Sequence, residues 1–241
     1  MRHGLTVLFA LSTAFSLAAP ARAADVGYYF NLADQLVDLP YPGTEFYGEV
    51  DLTLLALNNL LIEVNAYTSP GETDYQGNFI TSPLVAGPNF GIQTFGVNSE
   101  LVADEAQFDA FVALYDIVLP DNWTCSWGGV AGELGKFELW DTGTGGFRQD
   151  PLIVEIVPKP GAVIPAEFEI DSVFDFVELC PQGTYFAMHA AGFTTDPSYW
   201  ETGYLNPVSA WFAVGPAAPE PGTVLIALMG LIPVVLRRKR R

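Results

Sequence analysis

The chain has 241 residues, half of them hydrophobic, with 10 basic residues against 28 acidic ones and a formal net charge of −18. Seven of the basic residues lie in the first 22 or the last five positions, so the stretch between keeps only Lys136, Arg148 and Lys159, a charge of about −25. That excludes nucleic acid and anionic lipid as partners of this stretch, because phosphate contacts need cations that it lacks.

The chain opens with a short basic start, Met1-Arg2-His3, and an apolar run from Leu5 to Ala19. Pro20-Ala21-Arg22-Ala23 follows, with small residues at Ala21 and Ala23. A charged start, an apolar stretch too short for a comfortable span and a small-x-small site are the parts of a cleavable signal peptide over residues 1–23. Cleavage by signal peptidase after Ala23 would start the mature chain at Ala24-Asp25.

Residues 24–214 form one domain's worth of body, and their periodicity is mostly two. Val50, Leu52 and Leu54 alternate with Glu49, Asp51 and Thr53, and Ile62, Val64 and Ala66 with Glu63, Asn65 and Tyr67. Further strands are predicted at Leu152–Val157, Phe168–Asp171, Tyr185–Phe193 and Ser209–Val214, and a short helix or loop from Glu100 leads into a strand ending near Leu119. Turns are predicted at Ser69-Pro70-Gly71, Gly87-Pro88-Asn89, Pro120-Asp121-Asn122 and Pro158-Lys159-Pro160-Gly161. Many short strands with few helices predict an all-β fold, an antiparallel sandwich or jelly roll.

Two cysteines in an exported chain predict a Cys125–Cys180 disulfide. It would close a loop of about 55 residues and contribute some 3–4 kcal/mol on the chain-entropy model. Trp123, Cys125 and Trp127 share one strand face. Facing inward they form a core cluster with the disulfide on indole; facing outward, Trp123 and Trp127 are candidates for stacking on sugar rings, as is Trp200. Asp141-Thr142-Gly143 resembles the catalytic loop of aspartic proteases, but that chemistry needs two such carboxylates. The echo Trp200-Glu201-Thr202-Gly203 carries the wrong acid, so Asp141 is expected as a polar residue of a β-turn. The body's single histidine, His189, lies mid-strand without a nucleophile elbow and is expected to be structural, buried or half-buried. No cofactor is expected. Calcium is the cation that the acidic clusters Asp104-Glu105, Asp171 with Asp175, and Asp121 would suit, though no EF-hand or nonapeptide spacing is present.

The linker 215–221 carries Pro219-Glu220-Pro221, and residues 222–241 hold an apolar run, Thr223 to Leu236, before Arg237-Arg238-Lys239-Arg240-Arg241. The prolines stop a helix from running upstream. As a helix the run covers about 21 Å, short of the roughly 30 Å of a hydrocarbon core, and suits a temporary anchor held by its cytoplasmic cations. These three parts resemble the PEP-CTERM sorting signal, over about the last 23 residues. The resemblance implies processing near the tripeptide by an exosortase, a membrane-embedded cysteine transpeptidase, after transient insertion of the tail in the inner membrane. Gly91–Gly96, Leu119–Trp123, Phe186–Phe193 and Ser209–Phe212 are loosely similar to stretches of small surface proteins of that group, which carries no activity to transfer. The chain is therefore expected to be an exported, noncatalytic protein of the cell surface or extracellular matrix, structural or adhesive there. The alternatives are a carbohydrate-binding module, with exopolysaccharide as partner, and then a hydrolase built on paired carboxylates.

Overall fold

The structure is a computed structural model that describes residues 26–33, 46–68, 72–73, 77, 79–80, 82, 84–143, 147–194 and 208–215. The predicted signal peptide, Pro219-Glu220-Pro221, the apolar run, the basic cluster, the Ser69-Pro70-Gly71 turn and Trp200 lie outside them. Among the described residues no helix is long and apolar enough to cross a membrane.

The period-two pattern produces two antiparallel sheets. One has the order β1–β3–β4–β11–β8, from Val26–Tyr29, Gly48–Ala56, Asn59–Ala66, Leu152–Pro158 and Tyr115–Val118. The other has the order β2–β13–β12–β7–β10–β9, from Leu32–Ala33, Val208–Val214, Phe186–Thr194, Val85–Val97, Lys136–Gly143 and Trp123–Val130. A small pair, β5 (Glu72–Thr73) and β6 (Phe79–Ile80), stands apart. Every pairing is antiparallel.

Alternation decides which side chains meet. Val50, Leu52, Ile62, Val64, Val154 and Ile156 are buried on the inner face of the five-stranded sheet, and Phe95, Val97, Phe186, Met188 and Phe212 on that of the six-stranded sheet; all belong to one core. Rings cross the interface: Tyr28 meets Phe186 at 5.2 Å and Tyr47 meets Phe212 at 4.8 Å. The helix α1 (Glu105–Leu114) begins where Asp104 Oδ1 accepts from Gln107 N–H at 2.8 Å and Gln107 Oε1 accepts from Ala103 N–H at 2.7 Å. It buries Phe108 and Phe111, and β8 follows at once, as the sequence leads one to expect.

Three expectations change. Phe168–Asp171 is not a strand: Ala166–Phe168 is a 3₁₀ turn, and Ile170 spends its backbone groups on Asn58. Asn58 N–H donates to Ile170 O at 2.8 Å and Asn58 Oδ1 accepts Ile170 N–H at 2.6 Å, which leaves no ladder to join. Gly87-Pro88-Asn89 lies inside β7, where the left-handed Asn89 (φ 61°) accompanies register shifts against β12; a bulge absorbs what would have been a turn. Asp141 is likewise no turn residue but sits mid-strand in β10, opposite Cys125 and Phe95.

Asn58 also closes the β3–β4 hairpin in the left-handed region (φ 60°), and its Oδ1 lies 3.0 Å from Tyr115 Oη. One amide oxygen thus ties the hairpin, β8 and the 168–170 segment together. Tyr115 Oη also donates to Phe168 O at 2.7 Å and keeps that acceptor, so replacing Asn58 by Ala should destabilise the body by roughly 1–3 kcal/mol, the cost of leaving the buried Ile170 N–H unsatisfied. Asn58→Asp, which keeps the oxygen and tolerates this φ, should recover at least half of that. Urea unfolding of the three proteins checks this; equal losses in both variants would refute the assigned role.

Candidate functional site

The strands β8 and β9 are the edges of the two sheets on one side of the sandwich, and α1 lies between them. A recess of about 470 Å³ opens there, lined by Val112, Tyr115, Ile117, Leu119, Trp123 and Cys125, with Asp116, Thr124 and Lys159 also contributing. Lys159 Nζ donates to Val112 O at 2.5 Å and lies 4.0 Å from Asp116 Oδ1, so this cation satisfies a carbonyl in the last turn of α1.

The Trp123–Cys125–Trp127 face points inward. Trp123 is buried, and Cys125 and Trp127 are half-buried against the core, with Trp127 6.3 Å from Phe108. Trp123, being buried, presents no open face for sugar stacking.

The cysteines are free, which corrects the predicted disulfide. Cys125 stands on the inner face of β9 opposite Asp141, whereas Cys180 lies in the loop before β12 with its Sγ 3.0 Å from Thr184 Oγ1. Each sulfur has its own polar partner, and a count of two cannot tell pairing from two separate burials. Burial chiefly, and then Asp141, pushes the Cys125 thiol far up, so it keeps its proton and is no nucleophile. Burial also pushes the Asp141 carboxyl up to about 7, against a lowering hydrogen bond from Cys125. Below about pH 7 the Cys125–Asp141 pair therefore holds protons rather than charge.

The outer face of the six-stranded sheet carries a row of rings, Phe137 buried and Trp140, Trp211 and His189 half-buried. Phe137 lies 6.2 Å from Trp140, Trp140 5.2 Å from Trp211, and Trp211 4.7 Å from His189. Trp140 occupies space that only glycine leaves: a Cβ on Gly129 would come 1.9 Å from its Cδ2, and one on Gly96 2.9 Å from its Cε3. The turn Gly132–Leu134 helps to cover this row, so Ala131, Phe137, Ala187 and Ala213 form a second small core. His189 is half-buried in its strand as expected, and burial, then Arg148, lowers its pKa, which keeps the ring neutral near pH 7.

The acidic candidates are scattered. Asp104 caps α1, Glu105 occupies its first turn, and Asp121 is exposed in the turn before β9. Asp171 and Asp175 share a hydrogen bond that raises Asp175. Among the described residues no three metal-ligating side chains of the His, Cys, Asp and Glu types converge. The pairing of Cys125 with Asp141 was missed by sequence reasoning, because it depends on the register of β9 against β10 and leaves no trace in either strand alone. No family model, curated protein or solved structure matches the chain.

A carboxyl whose folded pKa lies above its unfolded value near 3.9 binds its proton more tightly when folded. Asp141's contribution is therefore full below about pH 4 and is lost as pH rises to about 7, by an amount on the order of a few kcal/mol. Asp141→Asn should flatten that part of the stability profile and leave the protein more stable than wild type above pH 7. Denaturant midpoints at pH 4, 5.5 and 7.5 test this; an unchanged profile would show that Asp141 is not protonated in the fold.

Proposed function

We propose that the chain is an exported protein of the cell surface or extracellular matrix, sorted through its PEP-CTERM-like tail, with a noncatalytic body that serves a structural or adhesive role. The observation that carries this is the order of parts at the two ends: a basic start, apolar run and Ala21-x-Ala23 site, then Pro219-Glu220-Pro221, apolar run and five terminal cations. What supports a noncatalytic body is how its reactive groups are used. Cys125 is held as a thiol against Asp141, His189 is stacked on Trp211, and Lys159 caps α1. Intact mass and fractionation in cells with and without the exosortase test the sorting. Loss of residues 1–23 and of the tail near Pro221, the latter only with the enzyme present, is the expected result. A tail retained in both, with the protein in the inner membrane, would reduce it to a membrane-anchored domain.

A carbohydrate-binding body is the second reading, favoured by the Trp211–His189 stack on an outer sheet face. In affinity electrophoresis through gels containing the producing cell's exopolysaccharide, this reading expects retardation that Trp211→Ala abolishes. Free migration of the wild-type protein would eliminate it.

A further inference from the structure

The chain enters and leaves the sandwich side by side, at one end of it. Val26 stands opposite Leu52, close to the tip of the β3–β4 hairpin, and β1 runs away from that tip. β13 runs in the opposite sense and ends at Val214, opposite Phe186. The Tyr28 ring lies 5.4 Å from that of Tyr185 and 5.2 Å from that of Phe186, and Tyr185 N–H donates to Val214 O at 3.0 Å. Gly215 N–H then donates to Asn31 Oδ1 at 3.0 Å.

Exposed apolar side chains share this end. Leu57 is 59% exposed at the hairpin tip. Phe174, 63% exposed, belongs to the 3₁₀ turn Val173–Asp175, which packs on β3 just after the bonds between Ile170 and Asn58. Val163, 85% exposed, follows β11, where Ile156 stands opposite Leu60. The other end of the sandwich is far away. β7 brings Val97 opposite Phe186, and Ala86, near the start of the same strand, lies roughly 30–36 Å back along it.

Under the sorting reading, on which this inference rests, the membrane segments are the apolar runs that end at Ala19 and begin at Thr223. The chain from Ala19 to Val26 spans at most about 25 Å, and that from Gly215 to Thr223 at most about 29 Å. Both tethers are shorter than the sandwich is long, and both attach at the same end. We propose that this end is the membrane-facing surface of the tethered body, with Leu57, Val163 and Phe174 against a zwitterionic bilayer. Exposed acids at the same end, Asp171 beside Ile170 and Glu178 bonded to Asn98 O, oppose anionic lipid, so the tethers impose the contact and it ends when they are cut. Side-by-side ends also let the sandwich close completely while both runs are still in one bilayer. A body with its ends at opposite poles would have to wait for one cut.

The test places a benzophenone-bearing amino acid in the full chain at Leu57, Phe174 or Ala86, all exposed positions. Proteins whose unfolding midpoint in mild detergent matches wild type are reconstituted into phosphatidylcholine vesicles, floated and irradiated, and lipid adducts are read by mass. Adducts at Leu57 and Phe174 several-fold above those at Ala86 are the expected result. Equal yields at all three positions, or none at Leu57 and Phe174 in protein that floats, would overturn the orientation and leave the sorting reading standing. Protein that does not float with the vesicles would overturn both.

Discussion

The two sheets hold together because rings from each reach into the other. Strands at ordinary spacing leave a gap of about 10 Å between facing sheets, and aliphatic side chains alone fill it unevenly. Here Tyr28 and Tyr47, from the side of the five-stranded sheet, meet Phe186 and Phe212 of the other. Burying an aromatic side chain of this size removes on the order of 150–250 Å² from water. The tight approach shows at Gly48, where a Cβ would come 3.0 Å from Met188 Cε across the interface. The strand pairings, the helix at the open side and the buried polar pairs all depend on that spacing.

The all-β class and most strands could be read from alternation, because a strand half-buried in a sandwich shows its orientation in its own sequence. Val50-Asp51-Leu52 and Leu152-Ile153-Val154 are of this kind: the second and fourth strands of that pattern could not change register without turning apolar residues outward. The helix was legible only in part, since Asp104 signals a cap while Tyr115 to Val118 continues in alternation. Phe168–Asp171 alternates too and is no strand, because what decides it is an asparagine 112 positions away. Pattern reports what a segment can bury and is silent on which partner satisfies its backbone.

The site chemistry was harder to read for the same reason. The flanks of Cys125 and Cys180 do not say whether the two pair, and only the register of β9 on β10 assigns one to a carboxyl while the loop before β12 assigns the other to a hydroxyl. Asp141 follows an apolar pair and precedes Thr-Gly, which reads as a turn; the structure instead carries the strand through to Gly143. A residue scarce in the chain proved easier to place: with three cations in the body, each is committed to a local carbonyl or is exposed, as Lys136 is.

Among the described residues the strand β9, eight residues long, is an edge of the six-stranded sheet, and such an edge invites another molecule's strand to pair with it. Gly128 interrupts it with φ near 70°, a backbone turn that a flat incoming strand cannot follow. The residues along its outer side, Thr124 and Ser126, are polar and exposed. Copies crowded together at high local concentration would meet this broken edge while carrying some 25 negative charges each, and both features oppose fibrous stacking. The bend at Gly128 thereby helps to keep crowded molecules separate.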